Sequence, residues 1–147
     1  MTSSNVIRQT AAELSAALRP SLLRITRVLR NQRVDLSVTL THLSAMATLR
    51  KKGPMSAGDL AAHERVQPPS MTKVLAGLEE KGLVTREPHP SDKRQVIIAL
   101  TPAGIDLLDS ERRQRDAWLS QRLTQLTPDE RAVLRDAIPV LDKLAEL

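Results

Sequence analysis

Two short stretches concentrate the side chains that could do chemistry, "PPSMTK" at 68–73 and "HPSDKR" at 89–94. The first sets two hydroxyls and an ammonium, Ser70, Thr72 and Lys73, just behind a pair of prolines. The second sets His89, Ser91, Asp92, Lys93 and Arg94 between two short runs rich in β-branched residues. Neither set is a catalytic arrangement. His42, His63 and His89 have no spacing that pairs them, no glycine-rich phosphate loop occurs, and no nucleophile stands beside a base, so an enzyme is not expected. What these residues can do is bind an anion. Short hydroxyls near a helix start can bond phosphates or base edges, and a guanidinium on a projecting turn suits a narrow groove of negative potential. Asp92 stands close enough to Arg94 to hold its side chain in one pose. Either set alone also fits an ordinary solvated surface, so the elements that position them decide.

Composition narrows the partner. At 147 residues the chain suits one domain, or a small core with helical arms, rather than two independent domains. Its 22 Lys and Arg outnumber 17 Asp and Glu for a formal charge of +5, which favours an anionic partner such as nucleic acid or an acidic membrane surface. With one Trp and no Phe or Tyr, the chain has almost nothing on which unpaired bases could stack, so duplex DNA is favoured and RNA is not. The absence of cysteine removes disulfides, zinc-thiolate sites and thiol switches, and no cofactor or metal is expected. The N-terminal "MTSSNVIRQTAAEL" lacks the apolar run of a signal peptide and no apolar run reaches membrane-spanning length, so a cytoplasmic protein with no membrane partner is expected.

The elements follow from periodicity and caps. Apolar residues from Ile7 through Ala11, Leu14, Leu18, Leu22, Ile25 and Leu29 recur at helical spacing, predicting an amphipathic helix over Val6 to Asn31 with a kink or fresh start at Pro20. A second helix starts near Thr39 and stops at Gly53-Pro54. Ser56, with Asp59 in capping-box position, opens a short third. Pro68 and Pro69 suit the first turn of a fourth, in which Met71, Val74, Leu75 and Leu78 share one stripe and Gly82 closes the run. Burying that stripe leaves Ser70, Thr72, Lys73, Ala76 and Gly77 toward solvent. Strands over Leu83 to Glu87 and Gln95 to Leu100 then form a hairpin with the basic residues at its tip. Thr101-Pro102 opens a long helix whose centre, "DSERRQRD", is polar all round; Thr127-Pro128-Asp129-Glu130 opens a last one, striped by Leu134, Ile138, Leu141 and Leu144 and interrupted at Pro139.

Two short helices followed directly by a hairpin make a winged helix-turn-helix, a mainly α fold with a small β wing. The expected organisation is one integrated domain: a dimerisation helix over 1–34, a DNA-binding core over 35–101, and C-terminal dimerisation helices over 102–147. The terminal stripes would be poorly covered in a monomer, which points to a homodimer in which they pack together, with Trp118 as an interface anchor; the alternative is that both fold back on one core.

"GDLAAHERVQPPSMTKVLAGLEEKGLVTREPHPSDKRQVIIALTPAG" resembles the core of the MarR family of bacterial transcriptional regulators, in its "LA" helix, its "GLVTR" stretch after the fourth helix, its Asp92-x-Arg94 wing and its closing "LTPAG". The resemblance spans residues 35–104 by motif and the flanking helices by layout. It implies a homodimer on a pseudo-palindromic operator, with Ser70, Thr72 and Lys73 reading the major groove and Arg94 entering the minor groove. Asp92 would orient Arg94, and Arg86 would support the wing or touch phosphate. Many members carry Arg where this chain has Lys73, and the missing planar fork weakens the expectation of bidentate guanine contact. The resemblance also implies a small organic, anionic or phenolic effector that releases DNA, with Arg27, His42 and Met46 as pocket walls. Arg24, Arg27 and Arg30 share a side of the first helix, where they contact phosphate, line such a pocket, or form a solvated face. A repressor is the expected role. A non-specific DNA-coating protein or a winged-helix protein-interaction module is the alternative.

Overall fold

The computed structural model describes residues 9–147, and helix α1 (Ala11–Arg30) begins where Thr10 caps it. The Thr10 hydroxyl accepts from the Glu13 N–H at 3.2 Å while the Glu13 carboxylate accepts from the Thr10 N–H at 2.8 Å, a reciprocal capping box. This corrects the expected start at Val6; Val6 and Ile7 lie outside the described residues. The helix continues through Pro20 with no fresh start, and α6 (Pro128–Glu146) likewise runs through Pro139 rather than being interrupted. Each proline removes one amide donor, and the turns on either side carry the helix past it.

The core is built by α2 (Leu40–Lys52), α3 (Ala57–Glu64), α4 (Pro68–Glu80) and a small sheet. Thr39 caps α2 with His42 at the reciprocal position, and Gly53 ends it at φ 89°. The Ser56 hydroxyl accepts from the Asp59 N–H to start α3. After α4, Gly82 takes φ 70°, so that its N–H reaches the Glu79 carbonyl at 3.0 Å and the next N–H, of Leu83, reaches the Leu78 carbonyl at 2.9 Å. Leu78 and Leu83 are both buried across this turn, the apolar contact that accompanies such a left-handed cap.

Strand β2 (Val84–Pro88) pairs antiparallel with β3 (Val96–Leu100), Arg86 facing Ile98 in the register. A third strand, β1 (Met55–Ser56), adds to the other edge of β3 in the order β1-β3-β2. Sequence reading missed β1 because two residues between a helix stop and a helix cap carry no alternation. Met46, Leu60, Met71, Leu75, Leu78 and Ile98 are fully buried, so leucine and methionine fill the core in place of aromatics.

Helix α5 (Pro102–Leu123) leaves this core, held to the end of α2 by the Arg50–Asp109 pair at 3.1 Å. α1 leans on α5, yet neither α1 nor α6 buries a single residue. Leu14, Leu23 and Ile25 on α1 and Leu134, Ile138, Leu141 and Leu144 on α6 are exposed. No helix among the described residues is long and apolar enough to cross a membrane.

Candidate nucleic-acid interface

The turn from α3 to α4 aims the fourth helix outward. Arg65 closes α3 in the left-handed region at φ 54°, and the Val66 N–H bonds back to the Ala61 carbonyl at 3.0 Å. Pro68 and Pro69 then occupy positions whose amide donors would have no helical partner in any case. Met71, Leu75 and Leu78 turn inward and Val74 is half-buried, which leaves Ser70, Thr72, Lys73 and Ala76 exposed. Thr72 is exposed and its hydroxyl donates to the Pro68 carbonyl at 3.0 Å, which commits its hydrogen and leaves the oxygen to accept, as from an exocyclic base amine. Lys73 makes no ion pair among the described residues. Gly77 is the exception to the expected outward set: it is half-buried against α2, where a Cβ would sit 3.0 Å from His42 Nε2.

The wing tip is folded by its own polar groups. His89 Nδ1 accepts from the Ser91 N–H at 3.1 Å and the Asp92 N–H at 3.0 Å, and the His89 N–H donates to the Gln95 carbonyl at 3.1 Å. The Asp92 carboxylate accepts the Arg94 N–H at 3.0 Å. Asp92 therefore holds the backbone of Arg94, and the expected side-chain pose is corrected: an aspartate two residues back closes an Asx-turn more readily than it reaches a guanidinium. His89 and Asp92 are half-buried turn-formers, whereas Ser91, Lys93 and Arg94 stand exposed, the two cations without an ion pair among the described residues. Arg86 Nε meets Glu79 Oε2 at 2.6 Å and so links the wing to α4. Both side chains are more than a third exposed, so this link orients more than it stabilises.

The closing "LTPAG" has a packing reason. Thr101 Oγ1 donates to the Gly82 carbonyl at 2.6 Å and accepts from the Gly104 N–H at 3.1 Å, while the Thr101 N–H donates to the Leu83 carbonyl at 3.1 Å. A Cβ at Gly104 would overlap that same Leu83 carbonyl oxygen. Gly104→Ala is expected to cost about 1–3 kcal/mol by overpacking, read as a lower urea midpoint with an unchanged slope.

A cavity of about 470 Å³ lies between α1, α2, α5 and the end of α3, lined by Arg30, Leu43, Glu64, Leu108, Glu111 and Arg115 among others. None of the expected wall residues lines it. Met46 is fully buried in the core, His42 faces Gly77, and Arg27 is exposed on α1; Arg30, one turn on, takes the place assigned to Arg27. Both acids at the cavity already have partners. Glu64 accepts from Ser44 and Thr48, each at 2.8 Å, and Glu111 accepts from the Val34 and Asp35 N–H groups. Arg30 and Arg115 form no ion pair among the described residues.

His42 carries a pH signature. Burial pushes its imidazole below the ordinary value, and Lys81 nearby pushes the same way. The ring is therefore neutral in the fold, with Nδ1 accepting the Thr39 N–H at 3.0 Å, while the unfolded chain takes up a proton below about pH 6.5. The unfolded state binds more protons there, so this part of the stability is complete above that pH and is lost as pH falls toward the lowered folded value. Urea midpoints are expected to fall from pH 7 to pH 5. His42→Gln, which keeps an acceptor for Thr39, should flatten that dependence.

An outward-facing helix with hydroxyls and a free cation at its start, set behind a tight turn and beside a basic-tipped hairpin, defines a winged helix-turn-helix DNA-binding protein. The MarR family model matches residues 38–96. A helix-turn-helix transcriptional regulator of Mycobacterium leprae is 42% identical over 135 residues, covering 92% of this chain and 94% of that one. The multiple antibiotic resistance protein MarR of Salmonella typhimurium is 33% identical over 109 residues, 74% of this chain and 76% of its own. Among solved structures, a transcriptional regulator of Pseudomonas aeruginosa superposes with a TM-score of 0.79 at 29% identity, covering 92% of this chain and 95% of that one. The chain belongs to the MarR family and is a DNA-binding transcriptional regulator.

Proposed function

We propose that this protein is a sequence-specific repressor that binds a pseudo-palindromic duplex operator as a homodimer and is released by a small organic anion. The reading is carried by the absence of any buried residue on α1 or α6, whose exposed leucines and isoleucines want a second copy. A two-fold dimer duplicates α4 and the wing, so the operator repeats its half-site about one helical turn apart. Ser70, Thr72 and Lys73 read base edges, and Arg94 enters the flanking minor groove, presented by the Asp92 turn. Lys93 adds charge beside the backbone and Ser91 a hydroxyl, while Arg86, held by Glu79, supports the wing. A dimer seated across a promoter excludes polymerase without a further contact surface. In the cavity, Arg30 and Arg115 supply charge for a carboxylate or phenolate, and Leu40, Leu43 and Leu108 supply an apolar wall for its ring.

Arg94→Ala tests the wing. Operator affinity should fall by about 1–3 kcal/mol, or roughly 5- to 150-fold, with dimer and melting temperature unchanged. Undiminished affinity would remove the wing from recognition.

A further inference from the structure

Glu111 is fully buried in the middle of α5, and no step of DNA reading described above uses it. Its carboxylate faces the segment Arg33–Val38, which joins α1 to α2. Oε1 accepts from the Val34 N–H at 3.2 Å and the Asp35 N–H at 3.1 Å, Oε2 accepts from the Val34 N–H at 3.1 Å, and Arg33 Nε lies 3.8 Å from Oε2. The far side of the same segment touches the recognition helix. Asp35 Oδ1 accepts from the Ser37 N–H at 2.9 Å and hydroxyl at 2.6 Å, and Ser37 Oγ in turn accepts from Lys81 Nζ at 2.9 Å, at the C-cap of α4. Val38 is anchored in the core, and one turn into α2 the His42 ring fills the space over Gly77. One short strap thus bears on α5 at Glu111 and on the C-cap of α4 at Lys81, and leads directly into α2, whose His42 covers Gly77.

We propose that Glu111 is a positioning residue for DNA recognition: through the Arg33–Val38 strap it sets where α4 stands relative to α5, the helix that leads away to the dimer. The proposal rests on the DNA-reading role given to α4. A carboxylate suits the task because both its oxygens accept from the Val34 and Asp35 N–H groups that the strap turns toward α5; a glutamine would turn amide hydrogens toward some of those same donors and leave Arg33 without its counter-charge. In a dimer, the separation of the two recognition helices must match the half-site spacing, so a small displacement of α4 against α5 is doubled across the operator.

The test is a double-mutant cycle between Glu111→Gln and Ser37→Ala, two sites that do not touch and of which the second carries no charge. Duplex affinity is measured by anisotropy, and hydrogen exchange of the amides over 77–83 is measured on the DNA-free protein. Glu111→Gln should weaken binding about 5-fold or more, and Ser37→Ala about 2-fold or more. The double variant should be no weaker than Glu111→Gln alone, because the relay is already open. Exchange over 77–83 should rise in both single variants and rise no further in the double. Multiplying effects, or unaltered exchange at 77–83 in Ser37→Ala, would overturn the proposal. Should Glu111→Gln fail to fold, exchange in the surface variant Ser37→Ala still decides. A protein that prefers no operator would defeat the repressor reading, while the exchange data would judge the strap independently.

Discussion

Glu111→Ala should destabilise the fold by about 3–5 kcal/mol, the scale for breaking a buried charged network by removing one partner. The alanine leaves the Val34 and Asp35 N–H groups with no acceptor and the buried Arg33 Nε, which has no hydrogen-bond partner of its own, with no counter-charge. Arg33 still donates to the Val38 and Asp35 carbonyls, so the guanidinium stays where it is and its charge goes unmatched. Urea denaturation followed by circular dichroism measures the loss. A change below about 1 kcal/mol, the range of an ordinary surface substitution, would mean that water replaces the carboxylate and that the segment is not held from α5.

Leu141→Asp should convert the proposed homodimer to monomer and lower operator affinity by about 100-fold or more, because binding through two linked half-sites is lost with the partner. Leu141 lies 38% exposed in the single chain, in a stripe with Leu134, Ile138 and Leu144, and nothing in the protomer's core depends on it. A carboxylate placed there is solvated in the monomer but unpaired and dehydrated in a packed interface, so the substitution penalises association far more than folding. Sedimentation equilibrium reads the mass directly. A stable dimer of the variant would place the interface away from α6.

How far the sequence discloses this molecule depends on whether a residue's partner is near it along the chain. Caps and stops are local, so Thr39, Gly53, Ser56, Pro68, Gly82, Thr101 and Thr127 mark their elements correctly, and Met71, Leu75 and Leu78 predict which side of α4 turns inward. The Thr10–Glu13 capping box was equally local, but the apolar stripe running back to Ile7 obscured it. A fresh start at Pro20 and an interruption at Pro139 are both suggested because sequence shows the missing donor and not the bonded turns around it. At the wing, Asp92-x-Arg94 signalled a contact but not which atom of Arg94 would take it.

Partners distant in sequence were illegible. Glu111 looks like one of several charges in the polar run over 109–116, and its acceptor role toward Val34 and Asp35 appears only when α5 crosses the α1–α2 connection. Gly77 sits on the outward half of a helical wheel, yet α2 crosses there and His42 covers it. The cavity shows the same limit. Arg27 and Arg30 are adjacent turns of one basic face, and only the packing of α1 on α5 brings Arg30 beside Arg115. Glu79, which meets the Arg86 guanidinium from α4, had no signal beyond a charge on an exposed helix end.

Sequence-specific binding of duplex DNA is the central claim. The direct measurement is fluorescence anisotropy of the purified protein on the duplex immediately upstream of its own gene, with scrambled duplex as competitor, at two salt concentrations. Saturable binding that survives a roughly thousand-fold excess of scrambled competitor, and persists at the higher salt, is the expected result. Equal affinity for both duplexes, collapsing together as salt rises, is the signature of phosphate contact alone and would contradict it.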